Sequence, residues 1–272
     1  MIRAFLYLEE SFSKSRESPP FFAVPPRSSH RPGDPIGTYS ETALHAALKR
    51  HYAGPDGEME VRVGAFWIDA RRGTTLIEIQ TANFSAMRSK LARLLAEHDV
   101  LLVHPIAQEK YLVWLDADGN TLRQRKSPMR GRLEDIFAQL VAFPELIGHP
   151  RLTLEVVLIR EEAVRIPAPR RKRFDRGWIP IDRRLLEVVA EHVFVEPADF
   201  GALLPAALPD VFTARNLVSA ARLPLRTAQR MLYCLRKMSV VRVEGKKGRA
   251  VTYARVSAAH DFSITQPSSP SA

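Results

Sequence analysis

The chain has 272 residues, 40 Lys+Arg against 30 Asp+Glu, a formal net charge of +10 and a pI near 10.0, a length for two modest domains and a basic excess that points first to nucleic acid. The single cysteine, Cys234, excludes an intramolecular disulfide and a cysteine-based zinc site. No apolar stretch reaches membrane-span length and the run from Met1 to Leu8 is too short for a secretory core, so a soluble cytoplasmic protein is expected.

Residues 1–36 hold Pro19, Pro20, Pro25, Pro26, Pro32 and Pro35, a density that blocks helix and ladder bonding alike and predicts disorder. From 37 to 166 helix and strand signals alternate. A helix opens at Thr38 with the stripe Leu44, Ala47, Leu48 and Tyr52. Short β-rich runs follow at 61–63, 66–68 and 76–79, separated by Gly64 and by Arg72-Gly73. A second helix puts Phe84, Met87, Leu91, Leu94 and Leu95 on one face. Strands are predicted at 100–103, 111–115 and 152–159, with a helix near 132–142. The order α-β-β-β-α-β indicates an α/β architecture, a mixed sheet flanked by helices.

Residues 167–180 form a proline-bounded basic run, expected to be a linker. Within 181–257, helices are predicted at 183–192, 199–208, from Thr213 to Ala221 and at 225–238. Two β-like runs joined by a basic turn come next. Helix, turn, helix and basic hairpin is the layout of a winged helix-turn-helix. The tail, 258–272, is again expected to be disordered.

Candidate chemistry gathers around Asp69, followed nine residues later by Glu78-Ile79-Gln80, with Glu41 upstream on the first helix. An even-numbered loop at Arg72-Gly73 would set Asp69 opposite Leu76. Glu78 would then be a diagonal neighbour on the same face, roughly 7–8 Å away and within reach of a shared ion. Carboxylate oxygens with open water positions suit Mg²⁺ or Mn²⁺. Simpler roles exist for each residue. Thr38-x-x-Glu41 is also a capping box, Asp69 beside Arg71 and Arg72 also suits a turn, and Lys90 also suits a solvated helix flank. Glu78 between two isoleucines is harder to explain as surface. The histidines His45, His51, His98, His104 and His149 show no metal-ligand spacing.

On Glu41, Asp69 and Glu78-Ile79-Gln80, in this order of helices and strands, the region 37–115 resembles the PD-(D/E)XK, or restriction-endonuclease-like, nuclease superfamily. The resemblance implies that fold, with metal held by Asp69 and Glu78 and supported by Glu41. Gln80 stands where that superfamily usually has a lysine that aligns or activates the attacking water. Lys90 on the following helix is the natural stand-in, ahead of Arg88, so Gln80 and Lys90 are the residues expected to place the water.

The charge excess is concentrated near the C-terminus. Residues 197–256 hold eleven basic and three acidic side chains, a net +8 of the +10. In the helix at 225–238, Ala228, Met231, Leu232, Leu235 and Met238 form the buried stripe. Arg226, Gln229, Arg230, Tyr233 and Arg236 are left outside, and Arg and Gln are side chains that read base edges in a major groove. Lys246, Lys247 and Arg249 at the hairpin tip suit phosphate contacts. The same module also suits protein docking or dimerisation. Arg123-Gln124-Arg125-Lys126 is expected to be a charged turn, and Cys234 a packed core thiol. The resulting expectation is Mg²⁺- or Mn²⁺-dependent hydrolysis of double-stranded DNA. The alternative is a DNA-binding regulator, or a defence-associated protein, whose nuclease-like domain is inactive; a third reading is an RNA nuclease. A homodimer fits an enzyme that cuts both strands, although no apolar seam in the sequence demands one.

Overall fold

Short β-branched runs interrupted by glycine double the chain back on itself, and the meander they form begins the main sheet. The structure is a computed structural model and describes residues 42–168 and 177–256. Strands β1 (Glu58–Val63), β2 (Phe66–Arg72) and β3 (Thr75–Ile79) pair antiparallel. Each connection is a two-residue loop whose first residue is a glycine at positive φ, Gly64 at 56° and Gly73 at 57°. Only glycine adopts that geometry without strain.

Helix α1 (Ala43–Ala53) precedes the meander and is capped by Thr42, whose hydroxyl accepts the His45 N–H at 3.3 Å. After β3, a 3₁₀ turn at Phe84–Met87 and helix α2 (Arg88–Leu94) return the chain. Strand β4 (Val100–Leu115) then lies parallel to β3. Strand β5 (Thr121–Lys126) turns back along the distal half of β4. A 3₁₀ turn at Leu133–Ile136 and the short helix α3 (Phe137–Leu140) lead to β6 (Leu152–Pro167), which is parallel to β4. Strand β7 (Trp178–Phe194) closes the sheet antiparallel to β6. The strand order is β1-β2-β3-β4-β6-β7. This is a mixed α/β fold, a large mixed sheet flanked by helices.

Side-chain alternation divides the core between the two faces of the sheet. Leu101 and Val103 of β4 pack with Ile77, Ile79, Val157 and Ile159 beneath Leu44, Leu48 and Tyr52 of α1. Val100 and Leu102 face the other way, with Leu76, Leu154 and Val156, against Phe84, Met87, Leu91 and Leu94. The second face continues without a break into the C-terminal module. There, α4 (Pro197–Gly201), β8 (Val211–Thr213), α5 (Ala214–Ala221), α6 (Leu225–Lys237), β9 (Val241–Lys247) and β10 (Ala250–Arg255) form three helices and a small sheet ordered β8-β10-β9. Phe200 of α4 stacks on Phe194 of β7 at 4.2 Å and meets the edge of Phe137 at 6.0 Å. Sheet and module therefore share one core.

Several elements differ from the sequence-based expectation. Residues 183–192, predicted helical, lie inside β7. Cross-strand pairing with β6 and burial of Leu185 and Val188 against the α1-side cluster outweigh the local helical character of that charged stretch. The main sheet therefore extends to Phe194, and residues 178–180 of the expected linker are strand. The basic run 123–126, expected to be a turn, is strand β5. The separate strands expected at 100–103 and 111–115 are one 16-residue strand. Of the helix predicted at 199–208, only the turn Pro197–Gly201 forms. The Thr213 cap and the helices at 214–221 and 225–237 match expectation. The expectations for 1–36, for residues 169–176 of the linker and for 258–272 fall outside the described residues. No helix among the described residues is long and apolar enough to cross a membrane.

Phe200 is fully buried, so Phe200→Ala is expected to cost about 3–5 kcal/mol of stability. Because its ring joins sheet and module, urea unfolding should remain one transition with a lower midpoint. Two separated transitions, with the sheet's midpoint unchanged, would contradict a shared core.

Candidate active site at a strand fork

The ladder between β2 and β3 ends at Ala70↔Ile77. One residue further Asp69 and Glu78 stand level, and the strands part. The Ile79 N–H, left without a backbone partner on β2, donates to Asp69 Oδ2 at 2.9 Å. Strand β2 twists at this level: Ala70 packs on the α1 side and Ile68 on the α2 side, although strand alternation would put both on one face. Opposite, Glu60 of β1 lies between the pairs Met59↔Ala70 and Val61↔Ile68 with φ at 55°. Non-glycine residues are uncommon in that left-handed region, and such strain clusters at functional sites.

The two carboxylates turn toward different helices. Asp69 faces α1, with His45 Nε2 3.2 Å from Oδ2 and Lys49 Nζ 3.9 Å from Oδ1. His45 Nε2 is also 3.0 Å from the Ile79 carbonyl, an acceptor only, so this nitrogen carries the proton and donates. Lys49 is buried and pairs with Glu60 at 3.0 Å. Burial by itself would raise the Asp69 pKa, but the hydrogen bond and charge of His45, the Ile79 N–H and Lys49 together hold it below its ordinary value. A cleft of about 310 Å³ opens here, lined by Lys49, Glu60, Trp67, Ile68 and Asp69. The Trp67 indole stands 65% exposed at this cleft.

Glu78 is buried and faces α2. Lys90 Nζ donates to Glu78 Oε1 and to the Trp67 carbonyl, both at 2.6 Å, and so ties helix α2 to both strands of the fork. Burial pushes the Glu78 carboxyl up to about 7; the charge and hydrogen bond of Lys90 oppose that shift, and the nearby Asp69 charge adds to it. The fork thus holds one carboxylate kept ionised and one poised to exchange a proton near neutrality.

The structure brings together Asp69, Glu78 and Lys90 of the residues singled out from sequence. The hairpin loop has the even length that the shared-face argument required, but Arg71, not Asp69, pairs with Leu76. Asp69 therefore lies level with Glu78 rather than diagonal to it, and the twist of β2, not the register, turns the two side chains toward different helices. Gln80 does not join them. Its amide nitrogen donates to the Ala82 carbonyl and, at 3.3 Å, to that of Asn83. Its backbone carbonyl accepts from His104 Nδ1 at 2.6 Å, and burial lowers the pKa of that imidazole below its ordinary value. Glu41 and Thr38 lie outside the described residues. Lys49 and Glu60 are not among the residues the sequence singles out, and His45 enters there only as one of five histidines without metal-ligand spacing. The available signal was the i, i+4 spacing of His45 and Lys49 beside the stripe of Leu44 and Leu48. Among the described residues, no three His, Cys, Asp or Glu side chains gather closely enough to hold a metal ion on their own.

On α6, Arg226, Gln229, Tyr233 and Arg236 are exposed and Arg230 is half-buried, while Ala228, Met231, Leu232, Cys234 and Leu235 face the core. Burial pushes the Cys234 thiol up to about 12, so it is a packing group. Lys246, Lys247 and Arg249 are exposed at the β9–β10 turn.

Comparison with known proteins gives a family without an assigned activity. Residues 42–195 match the family described as "Domain of unknown function (DUF8091)", a span that ends one residue after β7. An uncharacterized protein of Treponema pallidum (strain Nichols) is 30% identical over 222 residues, covering 80% of this chain and 86% of that protein. No solved structure matches.

The raised Glu78 pKa has a stability consequence. Between pH 4.5 and about 7 the native state keeps a proton that the unfolded chain releases, so this group's contribution to stability falls as pH rises through that window. Glu78→Gln removes the titration. In urea unfolding at pH 4 and pH 8, the variant is expected to lose less stability between the two than the parent. Equal losses in both proteins would contradict the placement of Glu78.

Proposed function

The chain belongs to the DUF8091 family, and we propose that it is a metal-dependent nuclease that hydrolyses phosphodiester bonds of DNA at the β2–β3 fork. The observation that carries this reading is the ion pair between Lys90 of α2 and buried Glu78, level with Asp69 where two paired strands separate. The element order supports it. A helix, an antiparallel three-strand meander, a helix and a strand parallel to β3 match the core expected of a restriction-endonuclease-like nuclease.

The donor chemistry is the kind Mg²⁺ or Mn²⁺ takes, but the carboxylates turn toward different helices, so holding one ion between them requires a side chain to swing into the fork. Hard oxygen ligands come from two carboxylates, and Mg²⁺ is commonly held by one or two carboxylates with waters completing its shell. A cation would also favour Glu78 as the anion, which burial disfavours. Asp69 and Glu78 would hold the ion, with Glu41 as the further ligand suggested by the sequence. Such an ion polarises a phosphoryl oxygen and lowers the pKa of bound water.

The protein's own groups have separable parts in this reading. His45 and Lys49 keep Asp69 ionised and oriented. Glu78 has a proton affinity suited to general acid–base work at neutral pH. The Lys90 ammonium supplies, from the helix, the positive charge that Gln80 lacks. The basic face of α6 would enter a DNA major groove, with Arg226, Gln229, Arg230, Tyr233 and Arg236 toward the bases and backbone. The hairpin tip at Lys246, Lys247 and Arg249 would lie along phosphate. The order α4, β8, α5, α6, β9, β10 supports a winged helix-turn-helix in this role.

A second reading, a DNA-binding regulator with an inactive fork, draws on one observation: the Gln80 amide is committed to the carbonyls of Ala82 and Asn83. Plasmid DNA incubated with Mg²⁺, Mn²⁺ or EDTA separates the two. Metal-dependent nicking is expected, reduced at least about 100-fold by Asp69→Ala, Glu78→Ala or Lys90→Ala. Tight binding with no cleavage of any DNA or RNA would favour the regulator. In fluorescence anisotropy with a DNA duplex, Arg226→Ala with Arg230→Ala should lower the slope of log affinity against log salt by about 2. An unchanged slope would remove α6 from the DNA interface.

A further inference from the structure

Far along the sheet from the fork lies a second constellation that the proposed hydrolysis does not use. Beyond the segment that pairs with β3, the distal half of β4 continues between β5 and β6, with β7 outside. Cross-strand register aligns Arg123 of β5, Trp114 of β4 and Arg165 of β6 on neighbouring strands. Together with Leu122, Arg125 and Trp178 they line a cleft of about 310 Å³ whose wall, among the described residues, has no carboxylate. The guanidinium groups of Arg123 and Arg125 stand 5.3 and 5.7 Å from the centre of the Trp114 ring. The Nε of Arg165 is buried and has no hydrogen-bond partner among the described residues. Glu78 lies beside Leu102, and Trp114 is twelve residues further along the strand, up to roughly 40 Å at ~3.3 Å per residue.

Three guanidinium groups for which the described residues lining the cleft supply no carboxylate call for an anion. Two indoles in the same cleft call for a flat, polarisable partner. An acidic peptide would satisfy the first demand and leave the indoles unused, whereas a paired duplex keeps its bases stacked internally and offers the cleft no ring. An unpaired nucleotide satisfies both, its base on an aromatic side chain and its phosphates on arginine, the combination used by single-strand-binding surfaces. We propose that this cleft binds an unpaired segment of nucleic acid, with a base stacked at Trp114 and Trp178 and the adjoining phosphates held by Arg123, Arg125 and Arg165. The unpartnered Arg165 Nε is a donor placed for a phosphate oxygen. Neither the cleft nor its ligand depends on the fork being a nuclease.

The test is fluorescence anisotropy of a labelled twelve-nucleotide oligo-dT with the full chain carrying Arg226→Ala and Arg230→Ala, so that α6 contributes little. The comparison ligand is an abasic strand of equal length and charge. Oligo-dT is expected to bind at least fivefold more tightly than the abasic strand. Trp114→Leu should abolish that difference. Arg123→Ala with Arg125→Ala, both exposed on β5 and therefore tolerable to the fold, should weaken both ligands and lower the salt slope by about 1.4, the single-strand increment for two contacts. Equal binding of oligo-dT and the abasic strand would overturn the proposal. So would competition by polyglutamate as effective as competition by unlabelled oligo-dT, which would assign the cleft to an acidic protein segment. Neither readout involves cleavage or metal, so failure here leaves the hydrolysis reading standing, and the converse also holds.

Discussion

The arrangement of the fork follows from one backbone constraint. When β2 and β3 stop pairing at Ala70↔Ile77, the next N–H on β3 must find another acceptor or be left unsatisfied. Asp69 supplies it, side chain to backbone, at 2.9 Å. That bond fixes the carboxylate at the point where the strands diverge, and the twist of β2 carries it toward α1. Glu78, held in the other strand, is left on the α2 side among apolar neighbours. A break in a ladder thus becomes a place where two acids of different proton affinity stand level with each other.

Charge balance at the fork rests on the helices rather than on solvent. His45 and Lys49 are one turn apart on α1, and Lys90 comes from α2, so each carboxylate has a cationic group from the helix covering its own face. The packing that builds the two-sided core, Leu44 and Leu48 on one face and Leu91 and Leu94 on the other, also sets the reach of these side chains. A pair that is partly buried in this way is poor evidence for stability, because desolvation offsets much of the attraction. Its presence is better explained by a need for charge at that location. The shared core through Phe194 and Phe200 then fixes the basic C-terminal module on the α2 side of the sheet.

How far the sequence speaks depends on the range of the interaction. The meander, both flanking helices of the fork and the α5–α6–hairpin order were legible, because glycine turns, period-two strands and a capped amphipathic helix are local signals. Asp69, Glu78 and Lys90 were legible as candidates for the same reason. The register that makes Arg71, not Asp69, the partner of Leu76 was not, since loop parity alone leaves a two-residue shift open. Strand β7 was not legible either. Its Arg183 is held by fully buried Glu161, 22 residues earlier, with Nε 3.0 Å from Oε2, an interaction invisible to local propensity. Lys49 escaped notice because lysine is ordinarily a surface residue. Trp114 and Arg123 became neighbours only when β5 turned back along β4.

The central proposal is that the fork carboxylates would form a cation site whose occupation requires Glu78 to lose its proton. Calorimetric titration of the full chain with Mn²⁺ at pH 6.5, in two buffers of different ionisation enthalpy, tests it most directly. The account predicts one bound ion, release of part of a proton on binding, and loss of both in Asp69→Asn and in Glu78→Gln. Absence of binding, or binding and proton release unchanged in those two variants, would contradict it.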